Sequence, residues 1–444
     1  MTEARPKKGF LDMNRYQWTV LFAAWLGWGF DVFDGLLFTY VAPNCVPTLL
    51  GLKIGSLEAR DATLFWTGLL TFLLLVGWGV GGILFGHISD RIGRTKTLML
   101  TMLLYSVGTA LCALAPNIWA LALFRFIASL GIGGEWAAGA SMVAEVVPNH
   151  RRVEAGALLY TSAPLGLFLA GIVTFQVQRV HLADNPEYAW RIVFLFGLVP
   201  AAVAFLVRMF VKEPERWQAT KDLAPAKFKD LFTHKHIRAT ASGLAMAVTA
   251  LIMWWSCNGF MSVIATGLAQ SHAAGLGLDK LATTQLSEDW KALASNSFNL
   301  GGLIGTLLTV PFAKYVGRKK MYLTYFLACA ASILVTFGLP MEPEMRLRMY
   351  FFVGLTVFGV FGSFTYYLPE LFPTRLRSTG SGFCYNTGRF IAAFGPFLVG
   401  TIASRGKDSV SLAMSLLFYV GFIPLLALFV MPWVIETRGR ELED

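Results

Sequence analysis

Charge is scarce in this sequence. Of 444 residues only 14% are Asp, Glu, Lys or Arg, 55% are hydrophobic, and the mean hydropathy is +0.58. A water-soluble chain of this length could not cover so much apolar surface with so few charges, which excludes a soluble globular protein. Cysteine is sparse too. The five (Cys45, Cys112, Cys257, Cys329, Cys384) are scattered, mostly in apolar runs, and no pair has metal-ligand or redox spacing. No Walker loop, HExxH or CxxC occurs: Gly131-Ile132-Gly133-Gly134 lacks the Lys-Ser/Thr of a phosphate loop and reads as a close-packing stretch. None of the six histidines falls mid-span, where a proton relay would sit. These absences argue against an enzyme, a cofactor or a metal, and leave an ion gradient rather than ATP as the energy source. Basic residues exceed acidic ones by 37 to 27, but they cluster briefly between apolar runs, so nucleic acid is not an expected partner. A cleavable signal peptide is not expected either, because the first apolar stretch is too long and holds two aspartates.

What is present is a series of twelve apolar runs, each long enough to cross a bilayer as a helix. They lie near 17–48, 63–85, 97–115, 117–145, 154–177, 190–211, 239–268, 291–313, 320–339, 346–370, 379–403 and 410–435. The one long polar break, between Lys212 and Arg238, separates six spans from six. The expected organisation is a cytoplasmic segment 1–16, a six-helix bundle 17–211, a linker 212–238, a second bundle 239–435 and a tail 436–444. The halves echo each other. Sliding the chain by about 224 positions lays Gly93-Arg94 on Gly317-Arg318 and Gly81 on Gly305, and nearly the same offset lays Glu145 and Arg152 on Glu370 and Arg377. A duplicated, charge-punctuated membrane unit is the build of a secondary transporter. With the N-terminus cytoplasmic, about 25 of the 37 Lys and Arg fall on the cytoplasmic side, so both termini are expected there.

At these residues the chain resembles the major facilitator superfamily over nearly its whole length. Gly86–Lys96 is similar to that superfamily's loop 2–3 signature and Arg125–Glu135 to its fourth-helix signature. Glu213-Pro214-Glu215-Arg216-Trp217 and Glu436-Thr437-Arg438-Gly439-Arg440 resemble the segments that close the two halves of sugar porters and organic-ion transporters. Pro369–Gly380 is shared by that branch and by acid:proton symporters, and Phe30–Asp34 followed by Val41-Ala42-Pro43 resembles the first helix of aromatic-acid and sialate/lactate:proton symporters. The resemblance implies an all-α membrane protein of twelve helices in two pseudo-symmetric bundles, working by alternating access. Helix seven offers Trp254-Trp255-Ser256-Cys257-Asn258 where sugar porters carry Gln-Gln, which counts against a hexose.

The intramembrane charges are Asp31, Asp34, Arg125, Glu135 and Arg389. A charge at mid-helix costs about 2.5–3.5 kcal/mol on insertion scales, so such residues pair or line a polar cavity. The rise of ~1.5 Å per residue puts Asp34 and Arg125 within a turn of each other in depth, with Asp31 one turn away on the same face. An Asp34–Arg125 pair with Asp31 beside it is the expected proton-coupling site; a permanent ion pair that orients helices is the plainer reading. Arg389 falls near the midplane with no acidic residue on its own helix, placed to grip a carboxylate, or else to pair with Asp31 or Asp34. Tyr385, Asn386, Tyr366, Tyr367, Asn258, Trp254 and Tyr160 are candidate substrate contacts. Asp90, Arg91, Arg94, Glu135, Glu145, Arg152, Glu370 and Arg377 are the expected inner gate. The function expected is proton-coupled symport of a small organic anion, a mono- or aromatic carboxylate, by a monomeric multi-pass protein of the cytoplasmic (inner) or plasma membrane. A neutral-solute carrier, for a sugar for example, is the nearest rival, and a non-translocating sensor another; a drug exporter is disfavoured by the uptake-type signatures.

Overall fold

The computed structural model describes residues 13–53, 57–182, 185–220, 227–403 and 409–443. In hydrocarbon each backbone N–H and C=O must find its partner within the protein, and a helix does so within one segment. Helices and turns accordingly make up the described residues, with no strand among them. The twelve spans are α1 (Arg15–Leu50), α2 (Leu57–Ile92), α3 (Arg94–Ala113), α4 (Ile118–Val146), α5 (Asn149–Thr174), α6 (Glu187–Met209), α7 (Ile237–Leu276), α8 (Lys280–Pro311), α9 (Arg318–Gly338), α10 (Pro343–Glu370), α11 (Arg377–Ala403) and α12 (Ser411–Trp433). Ten contain a stretch apolar enough to cross a membrane; α8 and α11 carry more polar residues and complete the set. Pro225 of the linker lies outside the described residues.

Two boundaries differ from the sequence expectation. The signature 86–96 is barely a loop: α2 runs on to Ile92, and only Gly93, with φ of 112°, separates it from α3. Gly317, with φ of 106°, likewise separates α9 from the π-helical turn Phe312–Val316 that continues α8. Both need the left-handed region that glycine alone enters without strain. The expected outer loop near 269–290 is also helical. α7 and α8 extend toward each other and turn at Gly277 (φ 65°), where Asp279 caps α8 by accepting from the Ala282 amide at 2.7 Å.

Two spans are broken where they serve the interior. Pro164 has no N–H to offer the Tyr160 carbonyl, and α5 divides at Thr161. The centre of α10 loosens at Gly354 and tightens again over Gly359–Ser363. α11 runs on through Gly395-Pro396 to Ala403.

Glycine sets how closely the helices approach. A Cβ at Gly81 would meet the Leu130 carbonyl and one at Gly133 the Trp78 carbonyl, so α2 and α4 touch backbone to backbone. At Gly305 and Gly301 the obstacles would be the Leu355 and Phe351 carbonyls of α10, which repeats the contact between α8 and α10. Both termini share one face with the linker. The Tyr16 hydroxyl donates to the Lys212 carbonyl at 3.0 Å, and the Thr374 amide donates to the Glu443 carbonyl at 3.0 Å.

Gly133→Val should therefore force α2 from α4. Overpacking typically costs about 1–3 kcal/mol, and the purified variant is expected to show a lower Tm and a loss of monodispersity by size exclusion. An unchanged melting curve would show that the contact can relax.

Candidate functional site

Between the two bundles lies a cavity lined by Trp28, Val32 and Leu36 of α1, Trp78 of α2, Tyr160, Ala163 and Leu167 of α5, Leu251, Trp254 and Trp255 of α7, Phe358 and Phe361 of α10, and Tyr385 and Arg389 of α11. It encloses about 440 Å³, counting the part open to solvent. The two broken spans deliver Tyr160, Phe358 and Phe361. The walls are aromatic rings at working distance: Trp254 stands edge-on to Trp255 at 4.7 Å, and Tyr160 packs on Phe361 at 6.1 Å. Among the lining residues Arg389 is the one formal charge.

Arg389 is 3% exposed. Its guanidinium lies over Trp78 at 4.4 Å and over Tyr385 at 4.6 Å, donates to the Asn386 side chain, and leaves Nε without an acceptor. Two ring faces soften the loss of water around the cation without discharging it. Tyr385 is fixed in turn by stacking on Trp136 at 4.0 Å. Asn386 belongs behind Arg389, wedged where a Cβ on Gly82 would collide with it.

Of the other expected contacts, Trp254 and Tyr160 line the cavity, but Tyr366, Tyr367 and Asn258 do not. The Tyr366 hydroxyl donates to the Met321 sulfur at 3.3 Å and its ring lies under Arg318. That of Tyr367 donates to the Ile435 carbonyl at 3.0 Å and meets Ser242 at 2.7 Å. Both face the end of the bundle that carries the termini. Trp28, Trp78, Phe358 and Phe361 were not singled out in sequence, because an aromatic in a membrane helix has the same pattern whether it faces lipid, core or cavity.

The Asp34–Arg125 ion pair expected from depth is not made. Thr109 of α3 donates to Asp34 at 2.5 Å, and Arg125 donates to the Gly35 carbonyl at 2.9 Å while lying over the Phe38 ring at 5.1 Å. The two charges remain neighbours without touching. Asp31 is wholly buried and neither of its carboxylate oxygens has a hydrogen-bond partner. Glu135 is displaced from the expected gate: it forms a buried ion pair with Arg208 of α6. Arg208 was not singled out in sequence, and only its register against α4 would have exposed the pairing.

The rest of the expected gate assembles at the terminus-bearing face. Glu145 accepts from Arg94 at 2.8 Å within its own half and from Arg377 at 2.8 Å across the boundary. Glu370 accepts from Arg318 at 2.9 Å in its own half and from Arg152 at 3.3 Å across it. Asp90 binds Arg94 at 2.7 Å and receives the Thr379 amide and hydroxyl of the other half at 2.7 and 2.6 Å. Lys314 reaches Glu154 at 2.6 Å, a crossing that sequence reading missed. Arg91 is exposed and makes none of these bonds. Two further carboxylates brace the turns: Glu213 accepts the amides of Arg94, Thr95 and Lys96, and Glu436 those of Arg318 and Lys319. Each sits at a helix N-terminus, where backbone N–H groups point outward and favour an anion.

Residues 18–396 match the family model described as Major Facilitator Superfamily. The chain is 30% identical to a putative metabolite transport protein of Haemophilus influenzae over 97% of its own length and 99% of the relative's. It is 26% identical to the sialic acid transporter NanX of Escherichia coli, over 95% and 96% of the two chains. In three dimensions it is similar to the proton:xylose symporter XylE from E. coli, with a TM-score of 0.74 and 17% identity over 97% of this chain and 98% of that one.

Glu145→Gln should weaken both of its buried arginine contacts. Breaking a buried pair costs about 3–5 kcal/mol, and the state in which this face is sealed is expected to lose population. On a cysteine-free background, a Ser381→Cys reporter in α11 should become more reactive toward a soluble maleimide; an unchanged labelling rate would mean that these bonds do not hold the face shut.

Proposed function

The chain belongs to the Major Facilitator Superfamily, and from that premise we propose that it is a secondary transporter that carries a small organic anion, of the mono- or aromatic-carboxylate kind, together with a proton. The two bundles alternate access to the central cavity, and the face that bears the termini is the cytoplasmic one. The observation that carries this reading is Arg389: a cation held at the cavity wall by two rings, with no carboxylate among the described residues bonded to it. A guanidinium keeps its charge under all ordinary conditions and presents a planar fork that matches a carboxylate.

The aromatic walls favour a substrate with a flat, unsaturated body, which can stack while its carboxylate reaches Arg389. Sialic acid, named for one relative, is also a carboxylate. A neutral polyol would meet few hydrogen-bonding groups among these rings and would leave Arg389 without a counter-charge. Asp31 and Asp34, buried on α1 beside the cavity wall, supply the proton site, with Arg125 as a neighbouring charge. The bonds at the terminus-bearing face act as the inner gate.

If Arg389 grips the carboxylate, Arg389→Lys should fail although it keeps the charge. Leaving a desolvated carboxylate partly unpaired should cost about 2–5 kcal/mol, or ~30-fold to several-thousand-fold in affinity. The amide of a substrate acid should lose a similar factor against the wild type and little more against the variant, by calorimetric titration of both ligands on both proteins. Equal binding of acid and amide to the wild type would give the lead to a neutral solute.

A further inference from the structure

Six of the lining rings close a belt around the cavity. Trp28 of α1 meets Trp78 of α2 at 6.4 Å, Trp78 meets Trp255 of α7 at 6.4 Å, and Trp255 meets Trp254 at 4.7 Å. Trp254 reaches Phe361 of α10 at 6.4 Å, Phe361 lies on Tyr160 of α5 at 6.1 Å, and Tyr160 returns to Trp28 at 6.2 Å. Each half supplies three members, and Arg389 is joined to the belt where it lies over Trp78. An occupant of the cavity therefore meets these rings on every side.

The polar atoms of the lining are unequally divided. An indole has one N–H donor and no acceptor, a guanidinium has donors alone, and a phenol hydroxyl can act either way. Besides its apolar members, the described lining consists of four tryptophans, two tyrosines and Arg389, with no carboxylate, amide or aliphatic hydroxyl among them. Its side-chain acceptors are thus the two tyrosine oxygens, Tyr160 and Tyr385, which neighbour each other and Arg389.

Three of the indole donors are idle. The Nε1 atoms of Trp28, Trp78 and Trp254 are buried and find no acceptor among the described residues, and Nε of Arg389 is in the same position. Elsewhere an indole N–H takes one: Trp25 donates to the Thr161 hydroxyl and Trp217 to the Asp90 carbonyl, each at 3.0 Å. Trp136 and Trp190 also lack an acceptor, but neither belongs to the lining. A buried donor without an acceptor is destabilising, so three around one cavity are costly unless the occupant brings the oxygen.

We propose that the belt reads an acceptor oxygen on the body of the substrate: the ligand is a flat monocarboxylate that also bears a keto or lactone carbonyl, and Trp28 and Trp254 donate to it. Trp78, which covers Arg389, serves the carboxylate end. A carbonyl suits this lining better than a hydroxyl, because it brings no proton in need of an acceptor. An amine suits it least, since its N–H groups would face other donors and an ammonium would meet no anionic side chain in the lining. The carboxylate part rests on the anion reading above, and the carbonyl part on the idle donors alone.

The test is a calorimetric titration of the purified protein with para-acetylbenzoate and para-isopropenylbenzoate, two acids of one shape in which a methylene replaces the ketone oxygen. The ketone should bind more tightly, by about 2- to 12-fold for each N–H engaged, although the alkene is the more hydrophobic ligand. In the double variant Trp28→Phe/Trp254→Phe the ketone-to-alkene ratio should fall toward one, whatever happens to the overall affinity, which closes a double-mutant cycle. A second readout needs no variant: the infrared C=O band of the bound, isotope-labelled ketone should lie below its position in a solvent without donors. Equal affinity of the wild type for ketone and alkene, a ratio that the double variant keeps, or an unshifted band overturns the proposal. The two corresponding benzamides separate it from the anion reading. Amides that bind as well as the acids and keep the ketone preference count against the anion reading while the belt's role stands; binding of none of the four ligands overturns the belt's role.

Discussion

An ion placed in a phase that cannot hydrate it must find its compensation in the protein, and the architecture follows from that constraint. Most of the chain meets it by carrying no charge at all; the remainder is grouped into a few sites. At the terminus-bearing face the charges are paired and hydrogen-bonded almost to saturation, with Arg94 alone reaching Ser89, Asp90, Glu145 and the Thr374 carbonyl. Deeper in, Arg125 is answered by a carbonyl and a ring and Arg389 by two rings and an amide. The gradient from ion pairs to softer partners separates groups that fasten the fold from groups left able to respond.

Duplication supplies the frame and divergence the specialisation. The glycines that bring α2 against α4 recur between α8 and α10, and the carboxylates capping α3 and α9 occupy matching places. The interior does not repeat. The first half contributes buried acids and their partners, while the second contributes most of the cavity's phenyl and indole surface together with its cation. Such a division lets the two tasks vary independently while the shared hinge and seam stay the same.

Much of this was legible in the sequence because membrane helices and charged signatures are local signals. Twelve spans, the repeat and the paired charges Glu145, Arg152, Glu370 and Arg377 of the terminus-bearing face could be found by counting along the chain. What escaped needed rotation about a helix axis, which axial rise does not give. Asp34 and Arg125 share a depth, yet Thr109 on α3 intercepts one and the Gly35 carbonyl the other. Tyr366 and Tyr367 have the right depth class but turn toward Met321 and Ile435. Arg208 was hidden because a basic residue near a helix end is usually an interfacial anchor. The extended α7–α8 hairpin was missed because its polar composition suggests a loop, while Asp279 and Gly277 in fact terminate two helices cleanly.

The crossed contacts at the terminus-bearing face have a mechanical corollary. Glu145 and Glu370 each hold two arginines, one from their own half and one from the other. Were the halves to part, Glu145 would leave with Arg94 and Glu370 with Arg318, so neither acid is ever stranded. The buried ions that change company are Arg152 and Arg377, which swing from a carboxylate into water, and a guanidinium is among the cations least penalised by either setting; the half-exposed Lys314 likewise parts from Glu154, which keeps Arg151 of its own half. On the proposed alternation of access, the seam would serve as a reversible fastener whose sockets stay lined when the studs withdraw, ready to mate again without rebuilding either side.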